Sequence, residues 1–230
     1  MAHQSTSRVL PRSFYARPTL AVLRDLIGCL LVHDEPAGRT SGLIVEAEAY
    51  IGESDAACHA APGPTRRNAP LYGPPGVAYV YLNYGLHEMV NAVTEPAGQP
   101  AAILIRALAP VEGIARMRRR RLRARRQTGQ VGKPIATADL CRGPGNLTVA
   151  LGIDRRLNRA DLTRSPLRIE ARGDEPIPLA WSTRIGIRVA TERPWRCAWK
   201  THPSVSATRG RGRSAATAGA GPSTKRGSSR

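Results

Sequence analysis

After Pro18 and Thr19 the apolar residues Leu20, Leu23, Leu26, Ile27, Leu30 and Leu31 recur at helical spacing. The pattern predicts a core-packing helix that ends near His33. Over residues 41–49 the period shortens to two, as in a strand, with Leu43, Val45, Ala47 and Ala49 facing one way and Ile44, Glu46 and Glu48 the other. Residues 50–75 dissolve into Gly, Pro, Asp, Asn and Arg, a loop longer than compact domains carry without a task. Alternation returns at 77–84, which predicts a strand running to Gly85, with 89–93 as its hairpin partner and 102–107 as a third strand. Residues 111–126 read as an amphipathic helix with its arginines outward, and 143–151 as a short helix behind Arg142-Gly143-Pro144-Gly145. Residues 167–171 and 183–189 supply further strands. From residue 207 onward almost no large apolar side chain is left to offset the entropy of ordering. The expected organisation is a flexible N-terminus (1–11), one domain (12–206) and a disordered basic tail (207–230). Strands and helices in irregular order point to a single mixed α+β domain and away from a doubly wound nucleotide fold.

A chain of 230 residues buries a proper core without disulfides. Lys plus Arg number 35 against 17 Asp plus Glu, a net charge of +18. Eight arginines within 116–126 and six basic residues within 207–230 account for all but four of those charges. Charge concentrated in this way fits a polyanion, nucleic acid first, although codon bias also enriches Arg and Ala. Cys29, Cys58, Cys141 and Cys197 are widely spaced and form no Cys-x-x-Cys pair, so they read as reduced, buried thiols, and no metal or cofactor is expected. No apolar run reaches the roughly 20 residues of a membrane span, and the first residues lack the form of a signal peptide. A monomer in the cytoplasm, nucleoid-associated in a bacterial cell, is expected.

Glu46 and Glu48, two apart on a strand, place their Cα atoms roughly 6.5–7 Å apart on one face. Three readings compete: a solvated strand face, a metal site completed by Asp55 and His59, and a water-activating carboxylate beside a supporting one, which suits hydrolysis of a glycosidic bond. The tyrosines bear on the choice. Tyr50, Tyr72, Tyr79, Tyr81 and Tyr84 crowd into one stretch of a chain with a single Phe. Aromatic faces beside basic residues are what stacking on nucleobases requires. Arg66, Arg67 and Asn68 in the long loop, with Asn91 and Arg106, are candidates for phosphate or water contacts.

Several motifs then line up. Val45-Glu46-Ala47-Glu48-Ala49-Tyr50-Ile51-Gly52 is followed by Asp55-Ala56-Ala57-Cys58-His59, Thr65-Arg66-Arg67-Asn68 and Tyr79-Val80-Tyr81-Leu82-Asn83-Tyr84-Gly85. Asn91, the run from Arg106 to Gly113, and Gly143-Pro144-Gly145-Asn146-Leu147 continue in order. Over residues 12–206 the chain resembles the 3-methyladenine (alkyladenine, methylpurine) DNA glycosylase family. The resemblance implies a curved antiparallel sheet with flanking helices and a protruding, DNA-intercalating β-hairpin. It further implies hydrolysis of the N-glycosidic bond of alkylated purines flipped out of double-stranded DNA. Glu48 matches the general base, and Arg106 and the Ile185 carbonyl match groups that hold the attacking water. Tyr50 and His59 match residues that sandwich the base, Tyr81 closes the other side, and Ala57 and Asn91 complete the pocket, the Asn91 amide discriminating against guanine. Tyr84 matches the side chain inserted into the vacated stack, and Arg66, Arg67, Asn68, Arg142 and Asn146 are candidates for the DNA backbone. The segment from Pro194 to Ser206 departs from the family pattern, which puts the shape of that segment in question and leaves the active-site motifs elsewhere. Two other functions remain open: a basic nucleic-acid-binding protein without activity, and a metal-dependent nuclease using Glu46, Glu48, Asp55 and His59.

Overall fold

The computed structural model describes residues 9–129 and 134–206, so the expected tail 207–230 and all but the last residues of the expected N-terminal segment lie outside the described residues. Helices α1 (Arg12–Tyr15) and α2 (Thr19–Leu26) lead into strands β1 (Leu30–His33) and β2 (Thr40–Ile51). Strands β3 (Ala78–Asn83) and β4 (His87–Val93) form the expected hairpin, followed by β5 (Ala101–Glu112), α3 (Ile114–Gln127) and α4 (Pro144–Leu151). Strands β6 (Leu167–Glu170), β7 (Leu179–Ser182) and β8 (Arg196–Trp199) complete the domain. It is the mixed α+β architecture that the pattern implies, with a curled antiparallel sheet.

The sheet runs β3-β4-β5-β2-β1-β6, and β8, with β7 outside it, also pairs with β2. On one edge β2 is shared: Thr40 to Leu43 pair with β1, while Glu46 to Glu48 pair with β8. Along its other edge β2 pairs with β5. One face of the sheet takes α2, which packs on β2 and β5, and α4, which packs on β4 and β5. Val22, Leu23, Leu26, Leu147 and Leu151 there meet Ile44, Ile103 and Ile105 in the main core. A second, smaller cluster of Cys58, Ala60, Leu71, Tyr79, Val93 and Ala102 shows that the long loop folds over the sheet. The four cysteines are free and buried. Among the described residues no helix is long and apolar enough to cross a membrane.

Three expectations are corrected. Helix α2 stops at Leu26, because Gly28 takes φ +91°, and Leu30 and Leu31 enter β1 between β2 and β6. Alternation along β2 slips between Ile44 and Ala47, opposite a matching irregularity between Ile105 and Leu108. Ile44 therefore joins Ala47 and Ala49 in the core and no longer shares a face with Glu46 and Glu48. Residues 183–189 are a loop, and the strands of that region are β7 and β8.

Candidate active site

Antiparallel register assembles the site. Tyr79 pairs with Asn91, Asn91 with Leu104, Leu104 with Glu48 and Glu48 with Arg196, so five strands place one residue each in a single row across the sheet. Glu46 and Glu48 are both completely buried, which rules out a solvated strand face. Arg106, from the irregular part of β5, bridges them: its Nε donates to Glu46 Oε1 at 2.8 Å and its Nη1 to Glu48 Oε2 at 3.0 Å. Glu46 also accepts Arg196 Nε at 2.8 Å and the Ser206 N–H at 2.6 Å. Glu48 accepts the Tyr50 hydroxyl at 2.9 Å and the Ile185 N–H at 2.7 Å, and the Ile185 carbonyl in turn lies 3.4 Å from Arg106 Nη1.

These contacts set the two carboxyls apart. Burial pushes the Glu48 pKa upward and prevails over the opposing pull of Arg106, the Ile185 N–H and the Tyr50 hydroxyl. Burial acts on Glu46 too, but the hydrogen bond from Arg196, with the charges of Arg106 and Arg196, holds that carboxyl below its ordinary range. One carboxylate is thus fixed in its charged form and its neighbour is poised to take a proton, an arrangement typical of acid–base pairs.

A cavity of about 420 Å³ opens against the three hydrogen-bond partners of Glu48, Tyr50, Arg106 and Ile185, and is lined as well by Ala57, His59, Tyr79, Tyr81 and Asn91 among others. The His59 and Tyr81 rings touch, with centroids 4.4 Å apart, and the Tyr79 hydroxyl meets His59 Nδ1 at 2.9 Å. His59 and Tyr81 therefore share one wall, so Tyr81 does not close the side facing His59. Burial, with Arg67 nearby, lowers the His59 pKa and favours the neutral ring. The Asn91 amide donates to the Tyr79 carbonyl at 2.9 Å, which fixes its orientation on the cavity floor.

A sequence model described as methylpurine-DNA glycosylase matches residues 13–203. The chain belongs to the methylpurine-DNA glycosylase family. Three similar relatives bear the name "Putative 3-methyladenine DNA glycosylase". The one from Methanocella arvoryzae is 47% identical over 201 residues, covering 86% of this chain and 96% of its own. That from Rubrobacter xylanophilus is 49% identical over 75% of this chain and 84% of its own, and that from Myxococcus xanthus 45% over 79% and 83%. As a member of this family the protein is a DNA glycosylase, a hydrolase of N-glycosyl bonds in DNA repair.

Against this glycosylase identity the remaining candidates divide. Tyr84 projects from the β3–β4 turn, 87% exposed, at φ +47°, with Gly85 at φ +70° and the Leu86 N–H closing on the Asn83 carbonyl at 3.0 Å. Positive φ at both central residues is the requirement of a type I′ turn, and an exposed tyrosine meeting it is unusual. Arg66 and Arg67 are exposed, with the Arg67 guanidinium 5.7 Å from the Tyr81 ring centroid. Asn68 is buried, and its amide spans the loop to the His59 and Gly63 carbonyls, a bond pattern that holds the loop together. Arg142 and Asn146 are half-buried and bonded internally, Arg142 to Asp139 and the Pro203 carbonyl, Asn146 to the Arg142 carbonyl. Several arginines of α3 are likewise occupied, Arg120 with Glu35 and Arg118 with the Ile135 carbonyl, and Arg121 is buried.

The candidate site is also built from residues that the sequence pattern did not single out. Arg196 and Ser206 come from the divergent C-terminal segment, which is therefore part of the site. Arg184 forms a buried pair with Asp55, which removes Asp55 from the metal reading. Among the described residues no group of three or more His, Cys, Asp or Glu is placed to hold a metal ion. No spacing rule pointed to Arg184 or Arg196, because their partners lie 129 and 150 residues away.

Proposed function

We propose that this glycosylase releases cationic alkylated purines, 3-methyladenine and 7-methylguanine, from double-stranded DNA. The observation that carries the reading is the buried Glu48, held by Arg106, Tyr50 and the Ile185 N–H, three residues that themselves line an aromatic cavity. In this reading the damaged nucleotide swings out of the duplex and its base stacks between Tyr50 and the wall of His59 and Tyr81. An electron-poor, cationic purine is attracted to electron-rich rings. Glu48 accepts a proton from water held beside Arg106 and the Ile185 carbonyl, and the water oxygen bonds to C1′. The C1′–N bond breaks with its electron pair going to the purine, which leaves neutral; an abasic sugar remains. Because alkylation has already made the base a good leaving group, one carboxylate suffices. Hypoxanthine, a neutral base, needs a proton in addition.

Tyr84 fills the space the nucleotide leaves, and the Asn91 amide excludes guanine through its exocyclic amino group. Exposed Arg66 and Arg67 contact the DNA backbone. The protein acts as a monomer in the compartment that holds its DNA. The test is incubation of methylated duplex DNA with the protein in EDTA, with chromatography of the released bases. Free methylpurines appearing before any strand break support the reading. A metal-dependent nuclease would be silent in EDTA, and a protein that only binds DNA would release nothing.

A further inference from the structure

Glu48 and Tyr50 stand on β2 and Ile185 on the distant loop 183–189, and one guanidinium touches the surroundings of all three. Arg184 meets Asp55 through two parallel bonds, Nη1 to Oδ2 at 2.6 Å and Nη2 to Oδ1 at 2.9 Å, and both side chains are fully buried. Nη1 also donates to the carbonyl of Ala49, the residue between Glu48 and Tyr50, at 3.1 Å. Nη2 donates to the carbonyl of Ala190 at 3.1 Å, which closes the loop 184–190 on itself. The guanidinium carbon lies 4.8 Å from the Tyr50 ring centroid and 5.2 Å from that of Trp195. Asp55 in turn accepts the N–H groups of Ile51 and Ala57, and so anchors the turn that carries Ala57 and His59 to the cavity.

We propose that the Asp55–Arg184 pair is a positioning element of the site. It fixes the Ile185 backbone against Glu48 and holds the Tyr50 ring. The inference rests on the reading of Glu48 as base. A tie of the core would need only the ion pair. Here the two Nη groups also donate to the residue beside Glu48 and to the far end of the loop, and the residue next to Arg184 presents both its N–H and its carbonyl to the Glu48–Arg106 unit. Lysine cannot replace it, since a single ammonium lacks both the fork and the flat face.

A pH signature separates positioning from folding. The groups facing Glu48 are Glu46 and Tyr50 on its own strand, Arg106 on β5, Tyr81 on β3 and the Ile185 N–H with Arg184 on the loop. Arg196 on β8 is bonded to Glu46 and Ser182. Glu48 acts as base only when ionised, so excision falls as pH drops through its pKa. If Arg184→Lys lets the loop drift, Glu48 loses the Ile185 N–H, a bond that favours its charged form, and the fall begins at higher pH.

The experiment is single-turnover release of 7-methylguanine from dimethyl sulfate-treated duplex DNA between pH 5.5 and 9, using the full chain, R184K, D55N and a control, L26A, in α2 away from the site. The expected result is an acidic limb displaced upward by about half to one pH unit in R184K and D55N, with the deficit shrinking toward alkaline pH. L26A melts at lower temperature with its limb unmoved. A limb unmoved in both site variants, or moved equally in L26A, overturns the proposal. Unfolding of both site variants does so as well, since the pair would then be a tie of the core. If the unaltered protein releases no methylpurine, it is the proposed function that fails.

Discussion

Exchanging each carboxylate of the buried pair for its amide should separate stability from chemistry. Glu46 accepts Arg106, Arg196 and the Ser206 N–H, and both guanidiniums are more than nine-tenths buried. Glu46→Gln leaves Arg106 with Glu48 as its carboxylate and takes from Arg196 the carboxylate it is paired with. Stripping one partner from a buried ion pair costs about 3–5 kcal/mol, and the oxygen that Gln retains places this variant near the lower end, about 3 kcal/mol. At roughly 2–4 °C per kcal/mol for a domain of this size, the melting temperature should fall by about 6–12 °C. Glu48→Gln is different. Burial already works against the Glu48 charge, Arg106 keeps its bond to Glu46, and the amide oxygen still accepts an N–H. Its stability should stay within about 1 kcal/mol of the unaltered protein. Excision should nevertheless fall by about 10²–10⁴-fold, the usual contribution of a positioned general base, while lesion binding persists. Glu46→Gln, measured below its melting transition, should lose less. Thermal unfolding by circular dichroism and single-turnover base release decide the matter. Excision by Glu48→Gln within a few-fold of normal would remove Glu48 as base, and an unshifted melting curve for Glu46→Gln would refute the electrostatic reasoning.

Tyr84→Gly removes the ring and relieves a positive φ that costs an L-residue about 1 kcal/mol, so the melting temperature should hold or rise slightly. Excision from paired lesions should nonetheless slow more than from single strands, and equal slowing in both would contradict insertion of Tyr84. Deleting residues 207–230, which carry six basic residues, should weaken binding to damaged and intact duplex alike and flatten the salt dependence by about 0.9 for each phosphate that the tail neutralises. An unchanged slope would show that the tail does not touch DNA. Among the described residues no lysine lines the cavity, so borohydride should trap no covalent DNA adduct. A stable adduct would reveal an amine nucleophile.

Local rules carried the sequence reading where neighbours along the chain decide conformation. The β3–β4 hairpin was legible because alternation flanks a Tyr84-Gly85 turn, and the shared face of Glu46 and Glu48 because a strand repeats every two residues; Tyr50, read as the start of the loop, proves to continue β2. That local logic fails when a distant segment supplies the deciding contact. Leu30 and Leu31 satisfy a helical period as well as a strand, and only pairing with β2 and β6 made them strand. Residues 183–189 hold enough β-branched side chains to read as a strand, yet Arg184 is drawn to Asp55 and the Ile185 N–H to Glu48, and a loop results.

The chemistry divides in the same way. Sequence by itself supplied the residue types, and with them the family: a pair of glutamates, a cluster of tyrosines and the exposed turn. Tertiary structure decided their state. Whether Glu46 and Glu48 were solvated, metal-bound or buried could not be read from a spacing of two, because burial depends on what covers the strand. Arg106, Arg196 and the Ser206 N–H converge on Glu46 from positions up to 160 residues away, and they hold one carboxylate charged while burial raises the pKa of the other. Charge and desolvation act through space, so the difference between two glutamates two residues apart belongs to the fold.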